Sequence, residues 1–381
     1  MAQTGPLRGW FEFGFRGFAE PPCGGARRVE PEPGGIRVVR PAWSYTGLVT
    51  GRGCLVLRGA TGAALPGRCR DLLPSESHVL LLRGAALEAW ARGAGLVWRR
   101  RLRPGEAAGP PALPRAPGGY VVLRPPFLRP LPPGLRARKL VLGHEHAALL
   151  GPAGAVYTWG SGRHGQLGHG ALEAASEPRL VEALHGVPMR DVAAGGWHSI
   201  SVSEAGDLYV WGWNESGQLA LPSLALAEKR LPATAAGAQL EGGAGEEQRQ
   251  IAGAAELMSA SAEAAQRAAA DFISIQAFPA LLDLPEGAEV SKVSCGSRHT
   301  AAVTRTGVLY TWGWGKYGQL GHGNTASSDQ PRPVGYFSAN GLMVEDVVCG
   351  PWNTYVCAAA AGEQFKGPAA CAETQACCGR K

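Results

Sequence analysis

The side chains of this 381-residue chain that could do chemistry are its histidines, cysteines and acids. His146 and His198 lie 52 residues apart, and His198 and His299 lie 101 apart, one such interval plus an insertion. A metal centre needs ligands that converge on one point. Histidines at one position of successive repeats are instead spread over different units. The expectation is a buried imidazole, alone or with the following Ser or Thr, bonded to its own unit's backbone. His164, His169 and His322 fall in turns and read as exposed.

Gly165-x-x-Gly168-x-Gly170 has the outline of a phosphate loop but lacks the following Lys-Ser/Thr. No H-E-x-x-H, G-x-S-x-G or Walker sequence occurs, and no spaced acid pair suggests glycoside chemistry. The nine cysteines are odd in number and include no C-x-x-C, which fits a reducing compartment. The expectation is therefore no catalytic residue, no metal and no cofactor.

Stepping from each histidine gives a fixed frame. Gly154, Gly206 and Gly307 lie eight residues on, Trp159, Trp211 and Trp312 thirteen on, and Gln166, Gln218 and Gln319 twenty on. A period near 50 residues means a stacked or circular array. Within one copy, Ser199 to Ser203 alternates small polar and apolar residues, Glu204 to Asp207 is a turn cluster, and Leu208 to Trp211 resumes as a strand. Such units cannot bury their faces alone. Four-stranded blades around an axis solve that problem and leave little edge exposed. The reading is an all-β chain forming a single β-propeller.

Weaker copies extend the array. Tyr45 is followed by Gly53 and by Gly59, the latter where the strong copies put the Gly after Trp. Ala85, Gly93 and Trp98 anchor a degenerate copy, and Gly350 to Thr354 opens a repeat that then stops. Phe11 to Ala19 resembles the missing second half, with Gly17 placed like Gly217, so N- and C-terminal strands are expected to pair and close the ring. Six registers follow, near Tyr45, Ala85, His146, His198, His299 and Asn353. Six or seven blades are open at this point, with six slightly favoured. Segments 99–137 and 222–272 are the places where further strands would hide.

The domain reading is propeller over 7–221, an Ala/Glu/Gln-rich insertion over 222–271 that is either a marginal helix or disordered, propeller again over 272–361, and a disordered tail over 362–381. Phe272 to Leu284 is the strand expected to rejoin the ring. Residues 104–134 are rich in Pro, Gly and Arg. They read either as a docking peptide with Arg115, Arg124, Phe127 and Arg129 as contacts, or as a long inter-blade loop with one strand, Tyr120 to Leu123.

Charge is asymmetric. Residues 1–140 carry 22 Lys+Arg against 8 Asp+Glu, whereas the remainder carries 15 against 23. A basic half favours nucleic acid or an acidic protein surface, or is a surface of scattered arginines. Arg99-Arg100-Arg101-x-Arg103 is the only basic cluster, and no nucleic-acid module is recognisable. Without an apolar N-terminal core or a run of 18 apolar residues, neither a signal peptide nor a membrane span is expected. Cys378 lacks the aliphatic residues of a prenylation signal.

The frame resembles the regulator-of-chromosome-condensation repeat family. Its signature stands here as Gly296, His299, Thr300, Gly307, Leu309, Tyr310, Trp312, Gly313, Gly318, Gln319, Leu320 and Gly321, and the middle copy departs from it at Ala220. The resemblance implies a seven-bladed propeller in a nuclear or chromosomal setting, also compatible with cytoplasm. Through a small vertebrate propeller of this family it further implies partnership with a JmjC-domain lysine demethylase or oxygenase, acting on histone methylation and chromosome segregation, with histones or chromatin as further partners. The alternative it implies is guanine nucleotide exchange on a small GTPase, although no segment matches an exchange wedge. An adaptor for microtubules or a ubiquitin ligase is a third reading.

What varies between copies is the Gly-x-x-x-x-Gly loop. Trp, Tyr and Arg at loop tips anchor protein interfaces. The expected protein-binding residues are Arg163 and His164 in the first loop, Trp213, Asn214 and Glu215 in the second, and Trp314, Lys316 and Tyr317 in the third, with Trp197, Arg298 and Trp352 just before the histidine position. Trp213 and Trp314 could equally pack between blades.

Overall fold

The structure, a computed structural model, describes residues 8–15, 23–59, 65, 67–103, 112–227 and 272–360. Most of the 222–271 insertion, the 362–381 tail and Gly17 lie outside the described residues. At the start of the insertion Leu224–Ala227 forms one short helix, α1.

Seven antiparallel sheets follow one another along the chain. Strands β1 (Gly9–Gly14) and β2 (Cys23–Arg28) come first but belong to the last sheet. Blade I is β3 (Ile36–Pro41), β4 (Thr46–Thr50) and β5 (Leu55–Arg58). Blade II is β6 (Asp71–Pro74), β7 (His78–Arg83), β8 (Ala86–Ala91) and β9 (Gly95–Arg101). Blade III is β10 (Arg115–Ala116), β11 (Gly119–Val121) and β12 (Leu128–Pro130). Blade IV is β13 (Lys139–Leu142), β14 (His146–Leu150), β15 (Val156–Gly160) and β16 (Ala175–Leu180). Blade V is β17 (Met189–Ala194), β18 (His198–Ser203), β19 (Leu208–Trp213) and β20 (Ile275–Leu282). Blade VI is β21 (Val290–Cys295), β22 (His299–Thr304), β23 (Leu309–Gly313) and β24 (Ser328–Pro333). Blade VII joins β25 (Leu342–Cys349) and β26 (Asn353–Ala360) to β1 and β2.

The ring closes by terminal strand exchange as the sequence indicates, with Phe11 opposite Val356 and Phe13 opposite Thr354. Phe13 takes the place that Trp312, opposite Thr300, holds in blade VI. Blade V is completed across the insertion, β19 pairing with β20.

The favoured count of six is corrected to seven. The extra blade is blade III, hidden in 99–137 by prolines and by strands of only two or three residues. The docking-peptide reading of that segment is corrected with it. Phe127 is 5% exposed and packs against Trp98 and His78 of blade II, so it is core. Arg115 lies in β10 and donates to the Ala137 carbonyl at 2.9 Å. The degenerate copy also shifts: blade II begins its second strand at His78, so Trp90 rather than Trp98 occupies the Trp159 position.

Apolar burial is divided into seven clusters, one at each blade interface. Trp312 of blade VI, for example, packs with Val202, Val210 and Leu219 of blade V. Trp10 of blade VII packs with Val39 and Leu48 of blade I, which seals the last interface. Because each blade is covered only by its neighbours, the closed ring is the stable unit.

Candidate functional site: one face of the disc

The frame histidines are structural. His146 Nε2 lies 2.8 Å from Ser199 Oγ, His198 Nε2 3.0 Å from Thr300 Oγ1, and His299 Nε2 3.0 Å from Thr354 Oγ1. Each hydroxyl donates to a glutamine main-chain oxygen, Gln166, Gln218 or Gln319, at 2.8 Å. The hydroxyl proton is thus committed, and the imidazole must donate from Nε2. Trp211 and Trp312 donate from Nε1 to the Gln166 and Gln218 oxygens at 2.9 Å. Every partner lies on an adjacent blade, so the expectation of a bond to the histidine's own backbone is corrected: the motif staples blade to blade. Burial pushes all three imidazoles down to about 3, so they are neutral at physiological pH.

The glycine three residues earlier is dictated by the same contact. A Cβ on Gly143, Gly195 or Gly296 would sit 2.4, 2.4 or 2.1 Å from the Cε1 of its histidine. His169 and His322 are not free in their turns as expected. Their Nε2 atoms lie 3.1 Å from Thr158 and Thr311 Oγ1, and both rings are half-buried. Among the described residues no group of three His, Cys, Asp or Glu could hold a metal ion. Cys295 is buried and Cys349 half-buried, and desolvation pushes the Cys349 thiol up to about 12.

What the stapled frame presents is a set of turns. In a meandering blade the turn from first to second strand and the turn from third to fourth fall at the same end, so both reach one face. Trp197, Arg298 and Trp352, each just before the histidine position, meet the loop of the preceding blade. Trp197 lies 5.9 Å from His164 and 5.3 Å from Trp213, the latter edge-on. The Arg298 guanidinium sits 4.6 Å over the Trp213 ring. Trp352 lies 4.9 Å from Trp314 and 5.8 Å from Tyr317. Trp314 N–H donates to the Arg298 carbonyl at 2.8 Å, which joins the two groups. The result is an arc of rings over blades IV to VII and on to Trp43 of blade I, 5.0 Å from Trp352 and 43% exposed.

Most of the residues selected from sequence meet in this arc. Arg163 is exposed and forks onto both carboxylate oxygens of Glu145 at 2.7 and 2.8 Å. Lys316 and Glu215 are exposed at the loop tips. Trp213 and Trp314 are half-buried: they pack across blades and keep a face toward solvent. Asn214 is corrected. It is fully buried, donates to the Leu221 and Ile273 carbonyls and accepts from Leu219 N–H, so it ties the loop together and touches no partner.

Sequence reasoning passed over Trp43, Phe15, His144 and Glu145. Glu145 was within reach, because it occupies the position of Trp197, Arg298 and Trp352. It accepts from Trp197 Nε1 at 3.3 Å. His144 packs 5.4 Å from the Trp197 ring, and desolvation lowers its pKa against the opposing pull of Glu145. Phe15 packs 5.2 Å from Tyr317.

A seven-bladed ring stapled through a repeated Gly-x-x-His and Gly-Gln-Leu frame defines a class, and the chain belongs to the regulator of chromosome condensation (RCC1) repeat family. One model of that repeat matches residues 153–202 and 306–357, and a second matches 189–218 and 290–319. The chain is similar over nearly its whole length to RCC1 domain-containing protein 1 of Homo sapiens, 50% identical over 95% of this chain and 100% of the human protein. The Mus musculus protein of the same name is 48% identical, over 91% of this chain and 96% of its own length. In fold it matches yeast RCC1 (Prp20) bound to Kap60, with a TM-score of 0.65 over 93% of this chain and 89% of that one at 16% identity.

Proposed function

We propose that this propeller is a non-catalytic protein-binding platform of chromatin, a partner of a JmjC-domain histone demethylase through which it influences histone methylation and chromosome segregation in the nucleus. The observation that carries the binding role is the arc of half-exposed Trp, Tyr, His and Arg on one face, held by a frame whose histidine, hydroxyl and glutamine main-chain groups bond from blade to blade. Rigid aromatic side chains lose little entropy on binding and supply large contact area. The partner class rests on the full-length similarity to the small vertebrate propeller of the same family.

Affinity capture from nuclear extract tests the reading. Wild type is expected to recover a JmjC-domain demethylase, and Trp314→Ala and Lys316→Ala variants of unchanged thermal stability to recover less. A folded wild-type propeller that recovers none removes the partner. Guanine nucleotide exchange is the alternative. Its support is Prp20p of Saccharomyces cerevisiae, studied for its binding properties to Gsp1p and histones, which shares the fold at 16% identity. The platform reading predicts no acceleration of nucleotide release from a small GTPase.

A further inference from the structure

The axis of the disc is an open bore of about 2190 Å³. Nine Lys and Arg side chains and five carboxylates line it among the described residues. The two sets are not equally occupied.

All five carboxylates are neutralised inside the molecule. Asp191 pairs with Lys139 at 2.6 Å and Asp346 with Lys292 at 3.0 Å. Glu145 pairs with Arg163 at 2.7 Å, Glu76 with Arg92 at 3.4 Å, and Glu345 with Arg8 at 2.8 Å. Three of these cations, Arg163, Arg92 and Arg8, reach in from outside the lining. Of the lining cations, Arg40, Arg138 and Arg305 also face carboxylates, those of Asp71, Glu204 and Glu289.

Arg124, Arg129 and Arg190 stand apart. They are exposed, they line the bore, and their guanidinium groups have no partner among the described residues. Arg124 follows β11 and Arg129 lies in β12, both on blade III. Arg190 sits in the bulge of β17 on blade V. Three always-charged forks, each able to bind a carboxylate in bidentate fashion, thus project into a concave space whose negative charges are already cancelled.

We infer that the bore is a binding site for an acidic, extended peptide of a partner protein. Its volume is more than twice that of ordinary small-molecule sites, about 300–1,000 Å³. The free guanidiniums are also distributed over two blades instead of closing on one point, as they would around a single phosphate. A chain of Asp or Glu side chains meets both conditions. The bore opens beside the aromatic face, sharing Trp43, His144 and Glu145 with it, but the three free guanidiniums lie outside that arc, so the inference does not depend on that face's partner.

The test uses the full chain and a fluorescein-labelled decaglutamate peptide, followed by fluorescence anisotropy. Binding is expected to weaken with added NaCl and to be absent for decaglutamine. The triple variant Arg124→Gln/Arg129→Gln/Arg190→Gln is expected to lose affinity by ~10-fold or more, since hydrogen bonds to charged groups are the strong ones. Arg179→Gln and Arg332→Gln, exposed on the outer strands β16 and β24 and outside the bore, should change nothing. A photo-crosslinking form of the peptide should label residues of blades III to V that line the bore in wild type, a readout that does not require the variant to fold. No binding by wild type, equal binding by a folded triple variant, crosslinks confined to the outer rim, or tight binding of inorganic tripolyphosphate without the peptide would each overturn the inference.

Discussion

Replacing Thr300 by Val tests the staple that holds blade V to blade VI. The change keeps the shape of the side chain and exchanges its hydroxyl for a methyl. His198 Nε2–H then loses its acceptor, 3.0 Å away, in a place where the ring is fully buried and water cannot substitute. The Gln218 carbonyl loses one of two donors but keeps Trp312 Nε1–H at 2.9 Å. The cost is therefore that of one orphaned buried donor, about 1–3 kcal/mol. Removing both partners should be far less damaging, because no polar group is then stranded. Thr300→Val combined with His198→Phe is expected to be more stable than the sum of the single changes by ~1–2 kcal/mol. Equilibrium urea unfolding followed by tryptophan fluorescence measures all three variants. A Thr300→Val midpoint indistinguishable from wild type, or strict additivity in the double variant, would refute the reasoning.

Two further outcomes follow from the same frame. His146, His198 and His299 are held neutral, with folded values near 3 against an ordinary 6.5. The unfolded chain therefore binds more protons between pH 3 and 6.5, and stability, fully present above that window, falls as pH drops by ~1.4 kcal/mol per unit per histidine. Urea midpoints from pH 8 to pH 5 should be level at first and then decline steeply; a flat profile would contradict buried neutral imidazoles. Gly195→Ala would place a Cβ 2.4 Å from His198 Cε1 and 2.5 Å from the Gly296 carbonyl oxygen. A loss of ~2 kcal/mol or more is expected in the same assay, because neither the ring nor the neighbouring backbone has space to yield.

The propeller was legible in the sequence wherever the staple was intact. A His, a Trp and a Gln at fixed offsets are conspicuous because each makes a specific contact with the next blade. The closing strand β1 was legible for a related reason, since Phe13 replaces the Trp with another large ring. Blade III was not. Tyr120 accepts from Trp159 Nε1 at 3.0 Å, so a tyrosine hydroxyl does there what a glutamine main-chain oxygen does elsewhere, and no offset announces it. Blade II was found seven residues out of place, because its hairpin turn is a residue shorter and the frame was matched to Ala85 instead of His78.

The aromatic face was legible in part. Positions just before the histidine point to one end of the blade by topology alone, which put Trp197, Arg298 and Trp352 in the site. Asn214 went astray because a polar residue in a loop looks the same whether it faces a partner or closes the loop's own hydrogen bonds. Of the bore arginines, Arg124 and Arg129 were chosen as contacts on an extended peptide, and Arg190 was passed over. Their convergence on the axis depends on blade III being a blade, which the composition concealed.

The central claim is that this face grips a macromolecular partner. Trp43 tests it most directly, because it is the most exposed tryptophan of the arc and its removal leaves the staples untouched. The measurement is the affinity of purified propeller for a purified JmjC-domain demethylase, wild type against Trp43→Ala. Truncation of an anchoring ring costs ~2 kcal/mol, about a 30-fold loss of affinity, with the thermal midpoint unchanged. Full affinity in the variant, or no measurable binding by the wild type, would contradict the account.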